Sequence, residues 1–431
     1  MRLFVTVLLF GLALAAPAGA LAVADPLAGQ QWNLSMVESG AAHAAATGAG
    51  ATIAIVDTGV LASHPDLQAP RFQQGYDFVD NDPIPQDSNG HGTHVLGIAG
   101  ANEDNGIGVA SVAPGATILP VRVLGSDGSG SLEDVVRGID FAVAQGADII
   151  NLSLGGEAPV LGSPDEFNAA IDRALDAGRI VVAAAGNDAM PVCGQPSGKG
   201  RLLCVGAVDR RGMHSSFSNY GVGLGLVAPG GSGQPLAGEN VLSTFSDGGY
   251  REIAGTSQAA PHVSGVAALL VQKGIRGQAA VQRILASAVD LGLPGPDPVF
   301  GAGVVNARQA LGLAPAAGGA TASQATGASQ VLVSLARRAR IRTVLRRGIR
   351  VRCRAAGAGR CRVSAYRGGR RVAAGSVRLS IGRTAVSVAR VNGRGRTLLR
   401  RALRQHRRVT LRVRVTLPGA PGQVHSLTLL P

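Results

Sequence analysis

Short apolar runs alternate with longer stretches of helical periodicity between residues 25 and 312. Two of these stretches, 132–145 and 166–177, have the spacing of apolar residues that is typical of helices. Strands buried on both faces form continuous apolar runs, and helices between them indicate parallel crossover connections. The pattern therefore predicts an α/β domain whose mainly parallel sheet is flanked by helices. The predicted strands are 51–57, 117–124, 148–154, 180–185 and 202–208.

The pattern changes after residue 312. Residues 313–330 are mostly Ala, Gly, Ser and Thr without periodicity, which predicts a flexible linker. Apolar and polar residues then alternate with the period of two that is typical of strands, as in 349–353 and 409–415. Residues 396–408 are compatible with one short helix. We expect residues 331–431 to form a small all-β domain of the Ig-like sandwich type.

The first residues have the pattern of an export signal. Arg2 precedes an apolar run of 14 residues at 3–16, and small residues follow at 18–22. The alternative is a membrane anchor, but a helix that spans a bilayer needs roughly 20 apolar residues. No later stretch is long and apolar enough to do so. We therefore expect a signal peptide at 1–22 and a secreted, extracellular protein.

Charge is distributed unevenly along the chain. The formal net charge is +14, but residues 321–431 contain 26 Arg and no Lys, Asp or Glu, whereas residues 1–320 carry a net charge of −12. The basic segment favours an anionic partner, such as a cell-surface polymer. The alternative is a solvated face in a chain that uses Arg as its default basic residue, since its only lysines are Lys199 and Lys273.

The composition narrows the class of protein. Hydrophobic residues make up 46% of the chain, which excludes a wholly disordered protein, and four cysteines exclude a small disulfide scaffold. Cys193 and Cys204 form one close pair in sequence, and Cys353 and Cys361 form another. Four cysteines allow three connectivities, of which local pairing is favoured because the linker separates the pairs. Free thiols are the alternative.

Three residues at predicted strand or helix ends could carry nucleophilic catalysis. Asp57 ends the first strong strand, His91 begins a helical stretch in NGHGTHV, and Ser257 begins another in GTSQAAPH. Hydrolysis of a peptide bond needs a nucleophile, a base and a carboxylate that orients the base. Taken singly, each has an ordinary structural interpretation as a turn residue, a buried histidine or a helix cap. His91 and His94 do not have the H-E-x-x-H spacing of a zinc site.

The order Asp, His, Ser on a parallel α/β domain resembles the subtilisin-like serine proteases, or subtilases, over residues 28–312. This resemblance implies that Asp57 orients the base, His91 is the general base and acid, and Ser257 is the nucleophile of an acyl-enzyme mechanism. It also implies that Asn187, in AAAGN, stabilises the oxyanion. One departure is Gln258, because the family usually has methionine after the nucleophile.

The resemblance further implies two segments that pair with an extended peptide substrate from both sides. The small residues of these segments indicate an open cleft that accepts a broad range of substrate side chains. These segments are Gly128-Ser129-Gly130 and Ser153-Leu154-Gly155.

A structural calcium ion is also implied by the resemblance, although no cofactor is required for the chemistry. Asp66, Asn105, Ile107 and Val109 match a family site built from oxygen ligands, which calcium prefers. An extra residue between His91 and the second loop departs from the family pattern.

The sequence thus favours a secreted serine endopeptidase that acts on protein or peptide substrates as a monomer without a transmembrane segment. A second hypothesis is an exported polyanion- or cell-surface-binding protein whose protease domain is inactive or secondary. A third is an esterase that uses the same three residues.

Overall fold

A computed structural model describes residues 24–68, 71–154, 164–193, 201–314, 332–334, 338–354, 359–367, 370–379, 384–416 and 423–431. The chain divides into two compact units, Met1–Ala316 and Ala317–Pro431. The predicted signal peptide and most of the predicted linker lie outside the described residues. Within the described part, no helix has both the length and the apolar character needed to cross a membrane.

The first unit is built on a seven-stranded parallel sheet with the order β2-β3-β1-β4-β5-β6-β7. The five predicted strands correspond to β1, β3, β4, β5 and β6, which confirms the mainly parallel sheet. The sequence prediction does not include β2, which has only two residues, or β7, which has four. The strands are β1 (Thr52–Asp57), β2 (Tyr76–Asp77), β3 (Thr117–Arg122), β4 (Ile149–Leu152), β5 (Ile180–Ala184), β6 (Leu203–Val208) and β7 (Leu226–Pro229).

Helices cover both faces of this sheet, as predicted. Both long helices expected from periodicity form, as α4 and α5. The helices of the unit are α1 (Trp32–Val37), α2 (Ser39–His43), α3 (His91–Gly100), α4 (Leu132–Ala144), α5 (Pro164–Asp176), α6 (Thr256–Gln272), α7 (Gly277–Ala286) and α8 (Ala307–Ala310). A hairpin of β8 (Val241–Thr244) and β9 (Tyr250–Ile253) and two 3-10 turns, Ala28–Gln30 and Pro65–Leu67, complete it.

Successive residues of β1 belong to different hydrophobic cores because side chains alternate across a strand. Ile53 and Ile55 pack in the core that contains α3 and α6. Ala54 and Val56 pack in the core that contains α4 and α5. A strand buried on both faces cannot show polar alternation, which is why β1 appears in the sequence as a continuous apolar run.

The carboxyl edge of the sheet brings distant parts of the chain together. β1, β4 and β5 are neighbours, and Ile55 is paired with Asn151. Asp57 therefore ends its strand beside Ser153, which follows β4, while Asn187 follows β5. Ligands and reacting groups of open α/β sheets lie at this edge.

The second unit contains one eight-stranded sheet with the order β10-β12-β15-β14-β13-β16-β17-β11. Its strands are β10 (Leu332–Ser334), β11 (Arg338–Arg340), β12 (Ile349–Arg354), β13 (Gly359–Arg367), β14 (Arg370–Leu379), β15 (Thr384–Val391), β16 (Val409–Thr416) and β17 (Gln423–Leu430). Two helices accompany the sheet, α9 (Ile341–Arg347) and α10 (Gly393–Arg404).

This sheet is curled. Its two edge strands, β10 and β11, are separated by only three residues in the sequence, so the edges must approach each other. Val363 and Val413 from the strands and Leu399 from α10 share one buried core. The expected β-rich C-terminal domain is therefore present, and its form is a single curled sheet with two helices instead of two stacked sheets.

The cysteines form the two local disulfides that the sequence favours. Cys193 is bonded to Cys204 in the first unit, and Cys353 is bonded to Cys361 in the second. Each disulfide closes a short loop, so each one constrains the unfolded chain locally.

Candidate active site

Asp57 and His91 are directly hydrogen-bonded. The Nδ1 atom of His91 lies 2.7 Å from Oδ1 of Asp57. The Asp57 side chain is fully buried, whereas 27% of the His91 side chain is exposed. Because an ionised carboxylate only accepts hydrogen bonds, Nδ1 of His91 carries the proton, and in the neutral ring Nε2 is then free to accept one.

The surroundings of His91 favour its protonated form. Burial of the ring opposes protonation, but the charge and hydrogen bond of Asp57, with a smaller contribution from the charge of Asp87, outweigh this opposition. The net result raises the pKa of His91 above its ordinary value of 6.5. Such a site stabilises the protonated form of a base that takes up a proton during a reaction.

Two glycines flank His91 at crowded positions of the backbone. A Cβ atom on Gly92 would lie 2.1 Å from the carbonyl oxygen of Gly59. Gly90 has a φ of 108°, and a Cβ atom there would lie 2.1 Å from the ring of Phe245. Both positions therefore exclude any larger residue, which gives a physical reason for the GHG sequence around the histidine.

Asp87 organises the loop before α3, and sequence reasoning missed it. Its buried carboxylate accepts five hydrogen bonds at 2.5–3.0 Å. The donors are the hydroxyl groups of Thr58 and Thr93 and the backbone N–H groups of Asn89, Gly90 and Thr93. The Thr58 hydroxyl in turn accepts from the N–H of Gly92. Asp87 thus fixes the backbone on both sides of His91.

Ser257 is the second residue of α6 and is bonded reciprocally to Ser153. The Ser257 hydroxyl donates to the carbonyl oxygen of Ser153 at 3.1 Å, and the Ser153 hydroxyl donates to the carbonyl oxygen of Ser257 at 2.8 Å. Pro261, four residues after Ser257, has no N–H to donate to that carbonyl within the helix. The Ser153 hydroxyl therefore takes the place of the missing helical donor.

Helices α3 and α6 pack together on one face of the sheet, so His91 and Ser257 stand in the first turns of neighbouring helices. In the described structure the Ser257 hydroxyl donates to Ser153 and not to His91. Transfer of its proton to His91 therefore requires the hydroxyl to leave the Ser153 carbonyl. Catalytic hydrogen bonds commonly tighten only when substrate is bound.

Asn187 is held by Thr256, the residue before the serine. Its Oδ1 atom accepts from the N–H of Thr256 at 2.9 Å and from the hydroxyl of Thr256 at 3.1 Å. The same hydroxyl accepts from the N–H of Gly186. With Oδ1 anchored, the Nδ2 group of this exposed asparagine is free to donate to a ligand beside Ser257. Thr256 is a second residue that sequence reasoning missed.

The two predicted substrate segments differ in their surroundings. Residues 128–130 are exposed, and the described residues provide no acceptor for the N–H of Gly130. Ser153 is buried, and both its hydroxyl and its carbonyl oxygen contact Ser257. Leu154 is half-buried, and Gly155 lies outside the described residues. The first segment is thus accessible to a peptide, whereas Ser153 also supports the serine.

The predicted calcium ligands lie together but bond to one another. Asp66 accepts from the side-chain amide of Asn105 at 2.9 Å and from the N–H of Val109 at 2.8 Å. The side-chain oxygen of Asn105 accepts from the N–H of Ile107 at 2.7 Å. Burial, reinforced by the charge of Asp25, raises the pKa of Asp66 above its ordinary value.

Asp25 is a further carboxylate at this place, and no local pattern connects it to Asp66. It is 6% exposed and accepts from the N–H groups of residues 104–106. Among the described residues, no group of three or more His, Cys, Asp or Glu side chains is arranged so that it could hold a metal ion. Two buried carboxylates with nearby amide and carbonyl oxygens still fit the donor chemistry of calcium, which accepts all three.

Two other histidines near the site are structural. Nε2 of His94 donates to the carbonyl oxygens of Val241 and Arg251, and burial lowers the pKa of His94 to about 3. Nδ1 of His262 bonds to the carbonyl oxygen of Gln258, and burial lowers the pKa of His262 to about 4. Both are therefore neutral at physiological pH, which leaves His91 as the titrating base of the site.

Gln258, the departure from the family pattern, is buried directly behind the serine. It is 1% exposed, and its Nε2 group has no hydrogen-bond partner in the part of the chain that the structure describes. Its Oε1 atom lies against Gly255, where a Cβ atom would be only 2.7 Å away. The polar side chain therefore fits this space, and Gly255 is needed to accommodate it.

Comparison with known proteins gives one consistent family. The sequence matches the Subtilase family over residues 48–303, within the first unit. Thermitase from Thermoactinomyces vulgaris is 40% identical over 288 residues, which cover 67% of this chain and 98% of thermitase. Subtilisin Savinase from Lederbergia lenta is 40% identical over 283 residues, which cover 65% of this chain and 97% of Savinase. A solved protease structure from Pseudoalteromonas arctica has 32% identity and a TM-score of 0.61, covering 68% of this chain and 99% of that one.

Proposed function

This chain belongs to the subtilase family and is a serine-type endopeptidase, and we propose that it cleaves peptide bonds with Asp57, His91 and Ser257. The observation that carries the assignment of residues is the buried Asp57–His91 hydrogen bond, which leaves Nε2 of His91 as a free base. The position of Ser257 at the start of the neighbouring helix supports its role as nucleophile.

The first half of the reaction forms the acyl-enzyme. Nε2 of His91 takes the hydroxyl proton of Ser257 while Oγ attacks the carbonyl carbon of the scissile bond. The carbonyl oxygen becomes negative and accepts hydrogen bonds from Nδ2 of Asn187 and the N–H of Ser257. His91 then gives its proton to the leaving nitrogen, the C–N bond breaks, and the amine product departs.

The second half restores the enzyme. His91 takes a proton from a water molecule, whose oxygen attacks the ester carbon of the acyl-enzyme. The proton then passes from His91 to Oγ of Ser257 as the ester bond breaks and the acid product leaves. The carboxylate of Asp57, 2.7 Å from Nδ1 of His91, stabilises the imidazolium ring each time it forms.

The substrate is an extended peptide that pairs with exposed backbone. Residues 128–130 are accessible, and the N–H of Gly130 is available to a main-chain acceptor. Main-chain pairing of this kind binds many sequences because it does not depend on side chains. The second segment, which begins at Ser153, would pair with the other side of the peptide.

A calcium ion would be held near Asp25 and Asp66, with oxygen atoms of Asn105, Ile107 and Val109 as further ligands. It would neutralise two buried carboxylates and so stabilise the fold. It takes no part in the chemistry. The protein is secreted after removal of residues 1–22; the support for this location is the export-signal pattern of Arg2, the apolar run at 3–16 and the small residues at 18–22.

The assignment of Ser257 is tested by comparing the hydrolysis of casein by wild type, Ser257→Ala and a control, Ser287→Ala. Ser287 follows α7, and its hydroxyl donates only to the carbonyl oxygen of Ile284. We expect Ser257→Ala to lose activity by at least about 10³-fold while remaining folded, and the control to keep wild-type activity. Equal activity in wild type and Ser257→Ala would overturn the assignment.

A further inference from the structure

The outer surface of the curled sheet in the second unit is lined with arginines. Side chains of β13 and β16 alternate between the core and solvent, so that Val363 and Val413 are buried while Arg362 and Arg412 are exposed. The same alternation exposes arginines on β14 and β15. We call the following six exposed residues the outer arginine face: Arg360, Arg362, Arg378, Arg390, Arg412 and Arg414.

Strand register places these arginines at regular intervals. Arg360 lies directly opposite Arg378. Arg362 is paired with Thr416, which makes Arg414 its diagonal neighbour. Alternate residues of one strand and diagonal neighbours on adjacent strands are both about 7 Å apart. The face is therefore a two-dimensional array of cations and not a single basic cluster.

The residues between the arginines leave the guanidinium groups accessible. Ser364 is paired with Ala374 on one side and with Arg414 on the other, and Ala374 is paired with Arg390. Small side chains do not cover a long arginine. The only side-chain hydrogen bond from this face in the described structure is the 3.5 Å contact of Arg360 with Ser376.

The array has no internal counter-charge. The sequence from 321 to 431 contains no Asp or Glu, and none of its described arginines forms an ion pair. Like charges directly opposite each other, as at Arg360 and Arg378, destabilise a sheet. A bound anion would remove that repulsion, so the arrangement is easier to explain as a binding surface than as a solvated face.

The shape and composition of the face select the kind of anion. The outside of a curled sheet is convex, so a rigid duplex would touch it only along a line, whereas a flexible chain can follow it. Tyr366 is the only Phe, Trp or Tyr residue in 321–431, which leaves little for the bases of a single strand to stack on. Val388 is the only large exposed hydrophobic residue among the described residues of this unit, so a bilayer has almost nothing to bury.

We propose that the outer arginine face binds a flexible polymer of closely spaced phosphate groups that lacks bases. The planar guanidinium group donates two parallel hydrogen bonds to phosphate oxygens, and neighbouring arginines about 7 Å apart can each engage a separate phosphate along one flexible polymer. Each contact contributes little binding free energy at an exposed site. Several contacts to one polymer chain still give a higher overall affinity, because the first contact raises the effective concentration of the remaining phosphates. The face would hold the enzyme on phosphate-rich polymer.

The test measures binding of full-length protein to linear inorganic polyphosphate by isothermal titration calorimetry at low and high salt. All proteins carry Ser257→Ala, so self-cleavage does not interfere and the result does not depend on the proposed catalytic role. One variant adds Arg362→Gln, Arg412→Gln and Arg414→Gln. The matched control removes the same number of positive charges, three, from helix α10.

The control carries Arg394→Gln, Arg400→Gln and Arg404→Gln. These arginines are exposed, but α10 packs through Leu399 and Ala402 into the core on the inner side of the sheet. Their charge therefore belongs to another surface. Circular dichroism and thermal melting establish that each variant is folded; if the sheet triple variant is not, Arg412→Gln alone replaces it.

We expect the parent protein, in which Ser257→Ala is the only change, to bind polyphosphate at low salt and to lose affinity at high salt. The sheet variant should bind about tenfold more weakly or worse, and the helix control less than about threefold more weakly. No binding by the parent protein, or an equal loss in both variants, would overturn the assignment of this face. Tighter binding to duplex DNA or to anionic phospholipid vesicles at equal phosphate concentration would overturn the proposed class of partner.

Discussion

Ser153 and Ser257 are joined by two hydrogen bonds of opposite direction, each hydroxyl donating to the other residue's carbonyl oxygen. The relationship follows from Pro261, which cannot supply the helical N–H that the Ser257 carbonyl would otherwise accept. A residue at the end of β4 thereby completes the first turn of α6. Ser257, the proposed nucleophile, is thus fixed to the sheet edge at which Asp57 also lies.

Removal of the Ser153 hydroxyl should therefore destabilise the protein in a way that depends on residue 261. Ser153→Ala leaves the buried Ser257 carbonyl without a donor, which costs about 1–3 kcal/mol in the free energy of unfolding. In the Pro261→Ala background the new N–H can donate to that carbonyl, so the same change should cost less. Urea unfolding of the inhibited enzymes measures this double-mutant cycle. If the two substitutions change the free energy of unfolding in a strictly additive way, the N–H of residue 261 does not replace the Ser153 hydroxyl as the donor to the Ser257 carbonyl, and the proposal is contradicted.

Asn187 should act in the transition state and not in substrate binding. Asn187→Asp keeps the oxygen that accepts from Thr256 but loses the Nδ2 donor. We expect kcat to fall by about 10²–10³-fold, the loss known for a donor of this kind in subtilisin itself, with little change in KM. Steady-state kinetics on a peptide substrate measures both. A variant that changes only KM would assign Asn187 to substrate binding.

Activity should be lost at acid pH as His91 becomes protonated. Because Asp57 raises the pKa of His91 above 6.5, the loss should be centred above that value. Protonated His91 stabilises the folded state below pH 6.5, and this contribution disappears as pH rises through the folded pKa. Titration of the His91 ring by NMR in the Ser257→Ala protein measures the pKa directly. Asp57→Asn should lower it, and an unchanged pKa would contradict the role given to Asp57.

Calcium should stabilise the first unit through Asp25 and Asp66. We expect added calcium to raise the melting temperature of the inhibited wild-type enzyme relative to chelator, because an ion that binds only the folded state stabilises it. Asp66→Asn should abolish this increment, whereas Asp127→Asn, at an exposed turn outside this cluster, should keep it. Equal calcium dependence in both variants would remove Asp66 from the site, and none in wild type would refute calcium binding there.

The sequence predicts most of the first unit because its signals are local. A buried parallel strand such as β1 is a continuous apolar run, and Asp57, His91 and Ser257 stand at strand and helix ends that such runs define. The supporting residues cannot be found this way. Asp87 and Thr256 act through contacts with backbone groups, and Asp25 meets Asp66 only in the folded chain.

The topology of the second unit also cannot be predicted from local sequence patterns, although its strands can. Alternation correctly indicates strands at 349–353 and 409–415, since exposed arginines and buried valines have a period of two. Whether such strands form two stacked sheets or one curled sheet depends on which strands become edges. That choice is made by the pairing of β10 with β12 and of β11 with β17, which no local pattern encodes.

The most direct test of the account is the reaction of the folded protein with a fluorophosphonate, followed by peptide mapping. A fluorophosphonate reacts with a serine only when a neighbouring base activates its hydroxyl. We predict a single modified residue, Ser257, and no modification of the Ser257→Ala variant. Absence of labelling in folded wild-type protein, or labelling at a different serine, would contradict the proposal that Asp57, His91 and Ser257 form the catalytic site.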